Sequence, residues 1–244
     1  MADNPDTAVI VGVGHGLGMA LAQRFARAEM NVAMAARSVV KLEALASEFS
    51  GIVHQTIAVA CDATREADVA ALFQRVGAEL GPPRLVVYNA GEYVRKGILE
   101  TTPEEFERCW RNACLGGFLV GREAVRAMLG AKTVGRHRGT LIFTGATASL
   151  RGSANFHNLA VGKFGLRALA QSMAREFQSH GIHVAHVVID GQIESERPGR
   201  SVAERGVDAV LSPDAIAESY YQIHLQPPSA WTLELDLRPY VEKF

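Results

Sequence analysis

The sequence predicts an α/β fold, with a doubly wound, mostly parallel sheet of about seven strands in a three-layer sandwich. Three observations carry this prediction. Short apolar runs alternate with helical patterns along the whole chain, and glycines cluster at residues 12–18, where the first strand should meet the first helix. The 244 residues, 48% of them hydrophobic, suffice for a sizeable core and show no shift in composition, so a single domain over residues 1–244 is expected.

The chain opens with a predicted strand–helix–strand unit. Residues 7–11 are apolar and mostly β-branched, as in a buried strand. An amphipathic helix should follow the glycines, with Leu21, Phe25 and Ala28 on one face. Residues 31–35 are the second strand candidate, which places the glycines at the first strand-to-helix turn.

The later elements follow the same alternation. Further strands are predicted at residues 53–60, 85–88, 140–143, 182–189 and 231–237, and further helices at residues 39–49, 68–80 and 158–179, with two more between residues 102 and 131. Thr102-Pro103 and Ser212-Pro213 each place a capping hydroxyl before a proline, which is typical of a helix start. Residues 191–211 are polar and aperiodic, as expected for a lid or binding segment.

The glycine cluster reads Gly12-Val13-Gly14-His15-Gly16-Leu17-Gly18. Glycine at this turn lets a pyrophosphate approach the backbone, and the following helix N-terminus supplies unpaired N–H donors. We therefore predict a dinucleotide site here. The alternative is a glycine-rich turn that binds nothing.

Composition excludes several other classes of function. The formal net charge is -1, so no basic excess indicates a nucleic-acid partner, and a small-molecule ligand is expected. No apolar run reaches membrane length, which predicts a cytoplasmic protein without a membrane partner. Cys61, Cys109 and Cys114 lack metal-ligand spacing, so no metal site is predicted.

Four features together resemble the short-chain dehydrogenase/reductase family over nearly the whole chain. They are the glycines Gly12, Gly16 and Gly18, then Asp62, then Asn89-Ala90-Gly91, then Lys163. The resemblance implies a Rossmann-like domain with a nicotinamide cofactor across the carboxyl ends of the strands. It also implies a homodimer or homotetramer, packed through the helices near residues 114–129 and 158–179.

The same resemblance assigns roles around the cofactor. Asp62 and Ala63 would approach the adenine, and Asn89, Ala90 and Gly91 the adenosine ribose. Lys163 would hold the nicotinamide ribose. Asp190-Gly191-Gln192-Ile193 is similar to the family's Pro-Gly-x-Val stretch, so the backbone of Ile193 would meet the nicotinamide amide.

Charge favours NADP(H) over NAD(H). The second strand ends in Ala35-Ala36-Arg37-Ser38, without the acidic residue that would repel a 2'-phosphate. Arg37 offers a planar fork of donors to such a phosphate, unless it is an ordinary solvated arginine. His15 lies where NADP-preferring relatives often carry a basic residue.

The catalytic pattern of the family is incomplete. Of its Asn, Ser, Tyr and Lys, only Lys163 occupies its slot, because the other three slots fall on Ala113, Ala146 and Leu159. Without a tyrosine at position 159, no obvious acid protonates the alkoxide left by hydride transfer.

Other side chains are candidates for the missing roles. His157 and Tyr93 are candidate proton donors, against the alternatives of a solvent-facing histidine and a pocket wall. Asn112 is one residue from the vacant asparagine slot. The hydroxyls of Thr144, Thr147 and Ser149 flank the serine slot, although such groups often satisfy local backbone.

Two functional hypotheses follow. One is an atypical NADP(H)-dependent oxidoreductase acting on an unidentified carbonyl or alcohol, in which His157 or Tyr93 handles the proton. The other is a catalytically silent NADP(H)-binding sensor or partner subunit. A lyase or isomerase on the same scaffold would rest on analogy of fold alone.

Overall fold

The computed structural model describes residues 5–38, 40, 42–44, 55–132 and 137–241, and within them seven strands form one parallel sheet. The strands are β1 Thr7–Val11, β2 Asn31–Ala36, β3 Thr56–Ala60, β4 Pro83–Tyr88, β5 Gly139–Thr144, β6 Ile182–Ile189 and β7 Glu234–Leu237. Their order across the sheet is β3-β2-β1-β4-β5-β6-β7, and every pairing is parallel. The predicted doubly wound sheet is confirmed.

The described helices are α1 Leu17–Arg27, α2 Glu66–Glu79, α3 Pro103–Trp110, α4 Gly116–Gly130, α5 His157–Phe177, α6 Val202–Arg205 and α7 Pro213–His224. Thr102 and Ser212 cap α3 and α7 as predicted. The helix predicted at residues 39–49 lies largely outside the described residues. The predicted lid, residues 191–211, carries α6 and one bridge between Ile193 and Leu211.

The structure defines one helix junction and corrects one strand boundary. The two helices predicted between residues 102 and 131 are α3 and α4, and a π-helical turn, Arg111–Leu115, joins them. β7 begins at Glu234 instead of residue 231. The Trp231 ring, which precedes the strand, stacks on His183 at 4.9 Å, and its indole N–H donates to Gln226 O.

The helices cover both faces of the sheet. Apolar residues of α2, α4 and α5 pack on one face, and those of α1 and α7 pack on the other. Burial on both sides explains why β1 and the second half of β4 read as apolar runs, whereas β6 buries two histidines among its apolar residues. Within the described residues, no helix has the length and apolar character needed to cross a membrane.

The strand order reverses between β1 and β4. Chain segments leaving these two strands diverge, which opens a crevice at the carboxyl edge of the sheet. The glycine loop follows β1, and Asn89-Ala90-Gly91 follows β4. Every predicted cofactor-binding segment that leaves a strand therefore lies along this edge.

Candidate active site

The turn after β1 requires glycine at two positions. Gly12 has a φ of +98°, and a Cβ there would lie 2.5 Å from the backbone N of Ala90. A Cβ at Gly18 would lie 2.7 Å from Val13 Cα. The Asn89 amide donates to Gly12 O at 3.0 Å, so the loops after β1 and β4 are locked together.

The same loop leaves open space at the start of α1. A Cβ at Gly14 or Gly16 would meet nothing within 4 Å. Gly16 is the N-cap of α1 and supplies no side-chain cap. Met19 N donates to Gly14 O at 3.1 Å and to Gly16 O at 3.0 Å, which leaves the N–H groups of Leu17 and Gly18 for an anion. His15 is exposed beside them, whereas the Leu17 side chain is buried and can contribute only its backbone.

Arginines surround the neighbouring cavity. It has a volume of about 270 Å³ and is lined by Arg37, Asp62, Thr64, Glu104, Glu107, Arg108, Arg111 and Asn112. Arg37 follows Ala36 at the end of β2, and its side chain is 70% exposed. Burial alone would raise the pKa of Asp62, but two hydrogen bonds donated by Thr64 outweigh it, so the pKa falls below its usual value.

The Glu92 carboxylate contacts three of the residues that line this cavity, and it is not among the residues predicted for the site. Its carboxylate accepts from Arg108 Nε at 2.8 Å and from Asn112 Nδ2 at 3.1 Å, and it lies 3.9 Å from Arg37 Nη1. A charged residue directly after Asn89-Ala90-Gly91 was the available signal. The single carboxylate links the loop after β4 to both Arg37 and the π-helical turn.

The π-helical turn also decides where Asn112 points. Its amide is occupied by Glu92 and by Arg108 O, so it faces the arginine-lined cavity. Ala113 is fully buried against α5. A Cβ added at Gly162 of that helix would lie only 2.6 Å from the Ala113 Cβ. The structure therefore does not bring Asn112 into contact with Lys163.

Lys163 lies at the centre of the crevice. It is 6% exposed, and its ammonium donates to Thr144 O at 2.7 Å. A Cβ at Gly91 would lie 3.5 Å from Lys163 Nζ, so the loop after β4 passes directly over it. Burial lowers the pKa of Lys163 to about 8.

The hydroxyls around the vacant serine slot already have partners. Thr144 Oγ1 accepts from the Tyr220 hydroxyl at 3.0 Å, and Ser149 Oγ accepts from Ala146 N. Thr147 donates to Asp190 Oδ1 at 2.6 Å. They satisfy local groups, as the sequence analysis allowed.

Asp190 stands where the resemblance places proline. One carboxylate oxygen accepts from Thr147, and the other lies 3.3 Å from Arg238 Nη2. The carboxylate therefore fastens the end of β6 to the turn after β5. Ile193 follows, held by its bridge to Leu211.

The two candidate proton donors have different surroundings. The His157 ring stacks on Phe106 at 6.3 Å, and its Nε2 is buried without a hydrogen-bond partner among the described residues. Six positions along a helix turn a side chain by about 240°, so His157 and Lys163 point in different directions. Tyr93 is 41% exposed, and its hydroxyl accepts from Arg200 at 3.4 Å.

A third residue at this point, Asn158, was missed by the sequence analysis. It is fully buried, and its amide group donates to Val94 O at 2.7 Å while its oxygen accepts from Val94 N at 3.4 Å. Both bonds tie the loop after β4 to the first turn of α5. An amide beside the vacant tyrosine slot was the available signal.

Comparison with known proteins agrees with this geometry. The family model for short chain dehydrogenase matches residues 6–201. The chain belongs to the short-chain dehydrogenase family. This family binds nicotinamide dinucleotides, and the open space at Gly14 and Gly16 with the uncapped start of α1 fits such a group.

Individual relatives are similar along most of the chain. A short-chain dehydrogenase from Rhodopseudomonas palustris is 38% identical, with a TM-score of 0.81, over 96% of this chain and 99% of its own. A metagenomic short-chain oxidoreductase in complex with NADP is 26% identical, with a TM-score of 0.81, over 97% and 98%. The 3-oxoacyl-[acyl-carrier-protein] reductase MabA of Mycobacterium avium is 31% identical over 81% of this chain and 70% of its own.

Proposed function

We propose that this short-chain dehydrogenase is an NADP(H)-dependent oxidoreductase that acts on a carbonyl or alcohol and moves the proton through a residue outside the family tetrad. The observation that carries the proposal is Lys163, buried beneath Gly91 at the crevice beside an open glycine loop. A charged lysine buried at this point costs stability, so a role in binding accounts for it. Leu159, one helical turn away, supplies no acid.

The chain's own residues would hold the cofactor along the carboxyl edge. The backbone around Gly14 and Gly16 would bind the pyrophosphate, and Arg37 the 2'-phosphate. Asp62 and Ala63 would lie at the adenine, with Asn89 to Gly91 along the adenosine ribose. Lys163 would donate to the nicotinamide ribose, and Ile193 to the amide. When bound, the nicotinamide supplies or accepts a hydride.

Tyr93 and His157 are the proposed proton carriers. Tyr93 has the stronger support, because its hydroxyl is exposed on the loop that passes over Lys163 and already takes part in a hydrogen bond. His157 retains an unpartnered ring nitrogen, but its ring packs on α3. The proton would pass between solvent and substrate through one of these side chains.

The cofactor preference is testable at Arg37. Arg37→Ala is expected to weaken NADPH binding at least about tenfold, because charge-assisted bonds to the phosphate are lost, and to leave NADH binding unchanged. Glu92→Gln should have the opposite effect, since it removes the carboxylate 3.9 Å from Arg37. Calorimetry with both nucleotides measures this, with exposed Arg27→Ala as the control. An equal loss for NADPH and NADH would contradict the preference.

We further propose that the protein is a homodimer or homotetramer. Trp110, Phe118, Val161 and Phe164 are 36–45% exposed on α3, α4 and α5. Such neighbouring apolar side chains are typical of an interface. Phe164→Asp is expected to lower the mass measured by light scattering to that of a monomer, whereas Val207→Asp, in the lid, should not. A monomeric wild-type protein would refute this proposal.

The second candidate function is a catalytically silent NADP(H)-binding protein. Leu159, Ala146 and Ala113 favour it, because three slots lack polar side chains while the glycine loop remains open. This candidate predicts NADPH binding without turnover of any substrate.

A further inference from the structure

Two arginines stand at the entrance to the crevice against a pair of aromatic rings. The rings of Tyr93 and Phe156 lie 5.7 Å apart. The Arg200 guanidinium donates to the Tyr93 hydroxyl at 3.4 Å, and Arg95 Cζ lies 5.5 Å from the centre of the Phe156 ring. Each guanidinium is therefore anchored on an aromatic wall rather than on a carboxylate.

These four side chains come from three segments: the loop after β4, which passes over Lys163 at Gly91, the start of the helix that carries Lys163, and the lid. Tyr93 and Arg95 belong to the loop after β4, which Asn158 ties to the start of α5. Phe156 is the N-cap residue of α5. Arg200 belongs to the lid, in a turn closed by the bonds from Arg200 N to Arg197 O and from Ser195 N to Arg200 O.

The acidic residues nearby do not neutralise this pair. The Glu204 carboxylate forms hydrogen bonds inside the lid, where it accepts from Gly199 N, Ser201 N and the Ser201 hydroxyl. Glu92 pairs with Arg108, and Glu105 with Lys96. Glu194, Glu196 and Asp208 are the remaining lid acids. In the described part of the chain, neither these three nor any other carboxylate forms an ion pair with Arg95 or Arg200.

A guanidinium with its face or one N–H group engaged still presents other donors in a planar fork, which matches a carboxylate or a phosphate. The Tyr93 and Phe156 rings offer apolar contact directly beside it. We propose that the crevice takes an anionic carbonyl substrate, whose carboxylate or phosphate is bound by Arg200 and Arg95 and whose apolar part packs on these rings. This inference rests on the proposed function, because it names the substrate class of the same site.

The test uses pairs of probes in which one member carries an anionic group and the other is neutral. Benzoylformate and its methyl ester are titrated by calorimetry into protein saturated with NADP⁺, so that no hydride is transferred, and also into the protein without nucleotide. Benzoylformate is expected to bind at least about tenfold more tightly than the ester. Phenyl phosphate against phenol forms the phosphate arm, and the arm with the larger ratio identifies the preferred anion.

Variants assign the effect to the arginines. Arg200→Gln and Arg95→Gln should each reduce the ratio of acid to ester affinity several-fold, and the double variant should bring it to about one. Arg175→Gln is the control, because this exposed arginine of α5 donates to Gln171 O on its own helix. If a variant fails to fold, salt still tests the dependence on charge in the wild type, where 500 mM NaCl should shrink the ratio.

The outcomes separate the two proposals. Failure of NADP⁺ and NADPH to bind would refute the proposed function. The titrations without nucleotide would still measure binding at the anion site. Equal affinity for charged and neutral probes in both arms, including no detectable binding of any probe, would overturn the anionic substrate class. A preference for the anions that survives in the double variant would overturn it as well.

Discussion

A Leu159→Tyr, Ala146→Ser double variant is expected to oxidise NADPH with aldehydes and ketones about 10²–10⁴-fold faster than the wild-type protein. Leu159 lies one helical turn before Lys163 on α5, so a tyrosine there would share its face. Ala146 lies two residues after the end of β5, on the same edge of the sheet. The measurement is the rate of NADPH loss across a carbonyl panel that includes 2-oxo acids.

A Leu159→Phe, Ala146→Ser variant is the matched control, since it adds the ring without the hydroxyl. If both double variants bind NADPH and show the same rate, the missing phenol does not limit the reaction. In the wild-type background, Tyr93→Phe and His157→Gln identify which side chain carries the proton, because only the carrier's loss lowers the residual rate. Complete absence of turnover in the wild type, with NADPH bound, would favour the silent candidate.

Replacing Lys163 by methionine is expected to weaken NADPH binding roughly 10–100-fold and to make the protein more stable at pH 7. Methionine fills similar space but removes the charged donor. Burial lowers the pKa of Lys163 from 10.5 to about 8, so the folded state bears a cost of about 3 kcal/mol wherever both states are protonated. Loss of the bond to Thr144 O offsets part of that gain.

The lowered pKa of Lys163 determines the direction in which stability changes with pH. Between about pH 8 and 10.5 the unfolded lysine binds more protons than the folded one, so its contribution to the free energy of unfolding rises with pH. The stability difference between Lys163→Met and wild type should therefore shrink over this range in urea unfolding. NADPH binding to the wild type should weaken above pH 8, whereas binding to the variant should stay flat. Parallel pH profiles for the two proteins would refute the role of the charge.

If both results hold, Lys163 is a binding group that the fold retains at a cost in stability. A lysine that is paired with a backbone carbonyl and almost fully buried has little structural benefit. Its position beneath Gly91 is then explained by a hydrogen bond from its ammonium group to a ribose hydroxyl of the cofactor. The vacant slots then affect the rate of proton transfer rather than the binding of the cofactor.

The sheet could be read from the sequence because its signals are local. β1 and β6 have the predicted bounds, since segments rich in apolar and β-branched residues leave few alternatives. The glycine turn could also be predicted, because its backbone geometry excludes a side chain at Gly12. Even the cap of α3 at Thr102 depends on residues three positions apart.

The side-chain partners in the site could not be predicted from the sequence. Arg200 meets Tyr93 across 107 positions of sequence, and Asn158 meets Val94 across 64. Glu92 gathers Arg108 and Asn112 only because a π-helical turn, rather than a loop, continues α3. No local pattern encodes such pairings.

The sequence alone was sufficient to predict the fold class, the glycine turn and the helix that carries Lys163. Backbone preference and apolar periodicity act over a few residues, so these features can be predicted locally. Tertiary packing decided the direction of Asn112, the bond between Thr147 and Asp190, and the anchoring of the two entrance arginines. These features depend on which distant side chains the packed helices bring within about 3 Å of one another, and that distance is set by the whole core.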